Sequence, residues 1–310
     1  MDTSTQALVV KPNSVVKKNS KNSVLKNLSA YGFMTPWLLG MLLLTAGSML
    51  FTLYLTFTNY DLLSRPQFIG LSNFTQIFKD PNFWTSIRVT FIYVVLSVPA
   101  RLIASLLVAT LVSKQVRGIA VYRALIYLPS LIGGSVGASI GWRELFDQNG
   151  PIDSFLKLFG IHGPVWLGNP ATSMIVLVLL SVWQFGSEMV IFLAGIKQIP
   201  GYLYESATID GASNFQRYIR ITLPMLSPLI FFNLLMGTIS SFMVFTQVLV
   251  ITDGGPMNST LLYVLYLYQQ AFQFFHMGYA AALSIILLIL IALCSGFIFL
   301  TARFWVNYDV

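Results

Sequence analysis

The chain alternates long apolar runs with short polar segments. Runs long enough to cross a bilayer, about twenty residues each, fall at roughly 34–57, 87–112, 122–143, 172–196, 225–251 and 278–302. The segments on one side of these runs are short and rich in turn signals, such as Asn149-Gly150-Pro151, His162-Gly163-Pro164, Gly168-Asn169-Pro170 and Asp253-Gly254-Gly255-Pro256. None is long enough to fold as a separate outer domain. The pattern predicts an all-α, polytopic membrane protein with six transmembrane helices over 31–310, preceded by a mobile basic tail over the Ser/Asn/Lys-rich residues 1–30. The first apolar run begins near Phe33, is too long for the core of a signal peptide and lacks a matching cleavage site, so a retained span is expected.

The connection at 197–224 differs from the others. From Glu205-Ser206-Ala207 to Pro224 it offers about twenty polar, helix-compatible residues. Glu205 and Ala207 are expected to start a short helix, and Asp210-Gly211 to end it, because glycine accepts positive φ without a Cβ clash. Phe215 to Arg220 can form a second short helix, and Pro224 would open the next span where a missing N–H costs nothing. Such a surface helix–turn–helix suits docking of another protein.

Composition sharpens the class. Of 310 residues, 56% are hydrophobic and 9% charged, against roughly a quarter charged in a soluble domain. The formal net charge of +7 would point to nucleic acid in a soluble chain, but here it reflects basic loops, and no nucleic-acid partner is expected. Lys11, Lys17, Lys18, Lys21 and Lys26 lie in the tail, Lys114 and Arg117 after the second run, Lys197, Arg217 and Arg220 after the fourth, and Arg303 closes the last. The alternate loops hold Arg65, Lys79 and Lys157 against Asp61, Asp80, Glu144, Asp147, Asp153 and Asp253. Basic residues accumulate on the cytoplasmic side, so both termini and the 197–224 loop are assigned to the cytoplasm. Cys294 is the single cysteine, so no internal disulfide can form.

No catalytic constellation is legible. His162 and His276 stand apart, no carboxylate pair recurs at catalytic spacing, and there is no Gly-x-x-x-x-Gly-Lys-Ser/Thr phosphate loop. The chain is read as a non-enzyme with no cofactor or metal of its own. Any ATP-driven step would belong to another polypeptide.

Polar residues within spans carry the remaining signal, since ionisable groups at membrane depth mark a pathway or a structural pair. Arg101 lies in the second run and Glu188 in the fourth, and they either pair or line a polar route. Arg143 closes the third run and reads as an interfacial residue that reaches outward. Trp183, Gln184 and Ser187 in the fourth run, with Ser240, Ser241, Thr246 and Gln247 in the fifth, combine aromatic faces with neutral hydrogen-bonding groups. That combination suits a sugar, although hydroxyl residues also simply join helices.

Glu205-Ser206-Ala207, three residues, Gly211, nine residues and Ile221-Thr222-Leu223-Pro224 resemble the cytoplasmic "EAA" loop of bacterial ATP-binding-cassette importer permeases, with Ser206 replacing an alanine. Leu193-Ala194-Gly195-Ile196 with Ile199-Pro200, Thr252-Asp253-Gly254-Gly255-Pro256 with Asn258-Ser259-Thr260, and Gly278-Tyr279-Ala280-Ala281-Ala282 are similar to the carbohydrate branch, the maltose and glycerol-3-phosphate permeases. The resemblance implies a multi-pass subunit of the bacterial cytoplasmic (inner) membrane that pairs with a second homologous permease. It also implies two ATP-binding cassette subunits, which hold ATP and Mg, and an extracellular or periplasmic solute-binding protein. Glu205, Ser206, Ala207, Asp210, Gly211, Ile221, Leu223 and Pro224 would couple to the ATPase. Trp183, Gln184, Ser187, Ser240, Ser241 and Val244 would lie on the substrate path, joined by Arg101 and Glu188 as the ionisable groups of the spans. A neutral oligosaccharide is the first expectation for the solute, an anionic saccharide or glycerol phosphate the alternative. A stand-alone secondary transporter is the reading from another class; it predicts internal repeats, which this sequence lacks. The chain lacks the extra helices and large outer domain of the longest maltose-type permeases.

Overall fold

A computed structural model describes residues 33–114 and 117–307. The expected tail over 1–30 lies outside the described residues. Chain contacts divide the structure into a first unit ending at Thr52 and a second beginning at Leu53.

The first unit supplies most of helix α1, Phe33–Leu55, with 23 residues and a mean hydropathy of 1.9. At 1.5 Å per residue it is about 35 Å long, enough to cross the hydrocarbon layer. Its stretch Gly40–Ala46 is a π-helix, closed by a bond from Gly47 N–H to Leu42 O. Ser48 and Thr52 return their hydroxyl protons to Leu44 O and Ser48 O, so these two hydroxyls are satisfied within the helix.

The second unit is helical apart from one antiparallel pair, β1 (Thr58–Asn59) with β2 (Gln67–Phe68). Then come α2 (Ser72–Lys79), α3 (Pro81–Val112), α4 (Ile119–Ile132), α5 (Val136–Leu145), α6 (Pro151–Lys157), α7 (Pro170–Trp183) and α8 (Gly186–Gln198). The cytoplasm-assigned connection holds α9 (Gly201–Ile209) and the helical run α10 (Asn214–Met225). The chain ends with α11 (Ser227–Phe242), α12 (Thr246–Ile251), α13 (Tyr263–Tyr268) and α14 (Met277–Ala302).

Among the described residues three helices, α1, α3 and α14, are long and apolar enough to cross a membrane alone, and three bent pairs, each counted as one span, bring the total to six. The bends correct the expectation of uninterrupted spans. The third, expected as 122–143, is α4 and α5 meeting at 100°; the fourth is α7 and α8 at 43°. The fifth, expected as 225–251, is α11, followed after a break by α12, with α10 entering at 65°. A 14-residue helix such as α4 rises only about 21 Å, so neither half crosses unaided. By contrast α3, with 32 residues, reaches about 48 Å and must protrude beyond the hydrocarbon.

This long helix is the axis of the second unit: α7, α8, α11 and α13 pack along it. Asp80 caps its start by accepting from Asn82 N–H (2.8 Å), and Pro81 occupies the first turn, where its missing donor costs nothing. The main core gathers Phe83, Tyr93, Val98, Leu177, Leu180, Tyr263, Leu265 and Leu283. A smaller cluster of Ala109, Val112, Met189, Phe192 and Leu193 seals the end of α3 against α8. Buried hydroxyls also join helices: Thr90 Oγ1 donates to Ser86 O and accepts from Tyr263 N–H (2.8 Å), and Tyr263 OH donates to Leu283 O (2.9 Å).

Candidate functional site

The cytoplasm-assigned segment forms one built unit. Helix α9 starts at Gly201, immediately after Pro200, so Glu205 lies in its middle and not at its start as the sequence suggests. The helix ends where expected: Asp210 N–H bonds Ser206 O, Gly211 N–H bonds Thr208 O and Ala212 N–H bonds Ala207 O (2.9 Å). This turn needs the φ of +76° at Gly211, a left-handed value that glycine adopts without strain. No atom lies within 4 Å of a Cβ built there, so glycine is required by backbone conformation and not by crowding. Ser213 and Gln216 then form a reciprocal capping box that starts α10.

Arg217 staples the two limbs, donating to Thr208 Oγ1 (2.7 Å) and to Asn214 Oδ1. Tyr204 OH and Thr222 Oγ1 meet at 2.9 Å, a second tie between α9 and α10. Pro224 does not open a fresh span as expected. It lies inside α10, just after a π-helical turn over Tyr218–Thr222 in which Leu223 N–H reaches Tyr218 O. The wider turn accommodates a proline whose ring crowds the preceding carbonyls. Pro228 holds the first turn of α11 instead. Glu205, Ser206, Asp210 and Gly211 are exposed, with Tyr202, Ile209 and Phe215 projecting apolar surface beside them. Ile221, Leu223 and Ala207 are half-buried.

The second site lies between the spans. Arg101 Nε on α3 and Glu188 Oε1 on α8 form an ion pair of 3.0 Å, with side chains 15% and 13% exposed. Arg101 Nη2 also donates to Ser240 Oγ on α11 at 3.4 Å, so one guanidinium joins three helices. Gly237 leaves room for the approach, since a Cβ there would lie 3.3 Å from Arg101 Nη2. Glu188 Oε2 is buried and has no hydrogen-bond partner among the described residues.

Sequence reasoning placed Gln184 on a solute route; the structure also makes it a joint. Its Nε2 donates to Gly133 O (3.2 Å) and its own carbonyl accepts from Ser130 Oγ (3.1 Å). The break between α7 and α8 is thus satisfied by the end of α4, as buried irregular backbone in a membrane requires. Gly133 and Gly186 permit the contact: a Cβ on the first would fall 2.4 Å from Gln184 Cγ, on the second 2.5 Å from Ser130 Oγ. A cavity of about 30 Å³ brings Arg101, Gln184 and Val244 together with Tyr93, Ser181 and Gln247. It has room for one water molecule and none for a sugar ring.

Trp183 leans on Trp142, ring centroids 5.4 Å apart at 35°, and Trp142 Nε1 is fixed by Val176 O (3.1 Å). Ser187 and Ser240 are exposed, whereas Ser241 is 2% exposed and packs inward. Arg143 is exposed and donates to Val250 O (3.3 Å). The sequence reading passed over the buried hydroxyl stripe Ser86, Thr90, Tyr93 and Ser97 on α3. Its spacing of four, three and four residues was a visible sign of a packed helical face.

Residues 68–303 match the family described as binding-protein-dependent transport system inner membrane component. A probable permease protein of an ABC transporter from Bacillus subtilis, YesP, is 46% identical over 296 residues, covering 94% of this chain and 96% of its own. The lactose transport system permease protein LacF of Rhizobium radiobacter is 32% identical, covering 76% of this chain and 82% of its own. The arabinooligosaccharides transport system permease protein AraP of Bacillus subtilis is also 32% identical, covering 87% of each. Among solved structures, a chain of a bacterial ABC transporter involved in import of the acidic polysaccharide alginate superposes with a TM-score of 0.78 at 22% identity, covering 91% of this chain and 98% of its own. The six-fold apolar pattern, the glycine-ended helix at 201–211 and the family match agree: the chain belongs to the inner-membrane components of binding-protein-dependent transport systems.

Proposed function

We propose that this chain forms one half of the translocation pathway of an ATP-driven importer for a neutral sugar or oligosaccharide. A second, homologous permease subunit supplies the other half, and two ATP-binding cassette subunits, which hold ATP and Mg, dock on the α9–α10 segment. An extracellular or periplasmic binding protein delivers the solute, and both termini lie in the cytoplasm by the distribution of basic residues.

The observation that carries the solute class is the Arg101–Glu188 pair. It cancels the two charges at the junction of α3, α8 and α11. The route beside it then offers hydroxyl, amide and indole groups from Ser187, Ser240, Gln184 and Trp183. Such a lining meets sugar hydroxyls and ring faces without demanding a charged solute. Relatives named for lactose and for arabinooligosaccharides support the same class. An anionic saccharide or glycerol phosphate would need Arg101 released from Glu188, at the cost of a buried unpaired carboxylate.

Coupling follows from the built segment. Glu205, Ser206 and the apolar side chains of Tyr202, Ile209 and Phe215 present a mixed docking surface. Arg217 and the Tyr204–Thr222 contact make α9 and α10 move together. Motion imposed on α9 therefore enters α11 through α10 as a rigid-body change.

The test is purification of the tagged chain in mild detergent, identification of co-purifying subunits, and reconstitution with the matching binding protein. Neutral oligosaccharides should stimulate ATP hydrolysis at least tenfold more effectively than the corresponding uronates. Equal or greater stimulation by uronates would overturn the solute class. Transport by this chain alone, without ATP, would overturn the importer reading in favour of a secondary transporter.

A further inference from the structure

A cavity of about 490 Å³ lies behind the coupling segment, and two cationic side chains, Lys114 and Arg217, are part of its lining. Its walls come from the end of α3 (Thr110, Ser113) with Lys114, from α9 (Tyr204) and from α10 (Arg217, Tyr218). The lining holds two cations and no carboxylate. Neither Lys114 nor Arg217 takes part in an ion pair among the described residues.

Arg217 is held in place by the bonds of its Nη1 to Thr208 and Nη2 to Asn214. A guanidinium has five N–H donors, so donors remain for a ligand. Lys114 adds an ammonium, and Tyr218 with the hydrogen-bonded Tyr204–Thr222 pair adds hydroxyl-bearing residues to the lining. The carbonyl end of α3 would repel an anion, but Arg123 covers it, with Nε and Nη2 on Val112 O at 3.2 and 2.6 Å. Thr110 and Ser113 give their hydroxyl protons to Leu106 O and Thr110 O, so the two cations lining one cavity are what suits it to a phosphate.

We propose that this cavity binds a phosphate group, carried either by an anionic lipid of the inner leaflet or by a soluble phosphorylated compound of the cytoplasm. A bound phosphate bridges the end of α3 to both limbs of the coupling segment. Movement of α9 and α10 relative to α3 then depends on occupancy, which makes the cavity a control point. The assignment goes beyond the importer reading and rests on it only for this last consequence, because every lining residue belongs to this chain.

The test uses the assembled importer in phosphatidylcholine nanodiscs, as wild type, Lys114→Gln and Ser113→Asp. Thermal unfolding is followed as inorganic phosphate replaces chloride at constant ionic strength, and separately as phosphatidylglycerol replaces phosphatidylcholine. The wild type should gain about 3 °C in at least one series, and both variants should lose that gain. Comparison with the variants removes phosphate bound at the ATPase nucleotide sites. A gain with phosphate alone identifies a soluble ligand; a gain with phosphatidylglycerol alone identifies a lipid headgroup. Identical responses in wild type and variants overturn the site. Loss of the ATPase subunit from Lys114→Gln, with no phosphate or lipid response in wild type, also overturns it and assigns the cavity to an ATPase side chain. If the wild type brings down no ATPase subunit, the docking reading fails, while the two titrations on the purified chain still decide the cavity.

Discussion

Arg101 Nε lies 3.0 Å from Glu188 Oε1, while Glu188 Oε2, itself buried, has no hydrogen-bond partner among the described residues. The pair is therefore a neutral joint that depends on both members. Removing one leaves a buried charge, at a cost of about 3 kcal/mol, whereas replacing both with apolar residues of similar volume is close to neutral. Glu188→Gln and Arg101→Met should each lower the unfolding temperature clearly, and the double variant Arg101→Met/Glu188→Leu should recover most of it. A cycle of thermal unfolding on the purified complex checks this; additive losses would show that the two side chains do not act together.

At Gly211 the requirement is one of backbone angle. With φ at +76° and open space around the Cβ position, Gly211→Ala should cost about 1 kcal/mol and Gly211→Asn less. Gly211→Val, β-branched as well, should leave the protein in the membrane and uncouple ATP hydrolysis from uptake. Parallel assays of ATPase activity and uptake in vesicles decide it, and normal uptake by the valine variant would refute the docking role of α9.

Gly278 illustrates the opposite constraint. A Cβ there would lie 2.0 Å from Thr58 O and 3.2 Å from Tyr60 N, both backbone atoms that cannot turn aside, and Gly278 N–H already bonds Tyr60 O at 3.0 Å. Gly278→Ala should separate α14 from the β1 segment and destabilise by about 3 kcal/mol. Differential scanning fluorimetry of the complex would read this as a drop of several degrees; an unchanged profile would contradict the contact.

Trp183 is half-buried and rests its ring on Trp142. Trp183→Ala should weaken apparent solute affinity without loss of assembly, and Trp183→Phe should retain part of it. The ring pair itself contributes about 1 kcal/mol, too little to unfold the chain. Substrate titration of the ATPase activity gives the answer: an unaltered half-saturation point in the alanine variant would remove Trp183 from the path.

Much of this protein is local and so was open to reading in one dimension. Apolar length, the basic residues at 197–220 and the turn at Asp210-Gly211 each depend on neighbours in sequence. The helical membrane class and the helix–turn–helix over 201–225 followed from them. Glu205 was misplaced within its helix because Pro200, and not an acidic residue, sets the start of α9.

What tertiary structure decided is where helices may stop inside the membrane. The breaks at 133–135 and 184–185 leave backbone groups that lipid cannot satisfy. They persist because Gln184 and Ser130 reach across from other helices, through gaps that Gly133 and Gly186 keep open. Ser240, distant from Arg101 and Glu188 in the chain, meets them only when α3, α8 and α11 converge. Whether those charges paired or stood free depended on side chains approaching to hydrogen-bond distance across three helices, and no periodicity along a single helix contains that information.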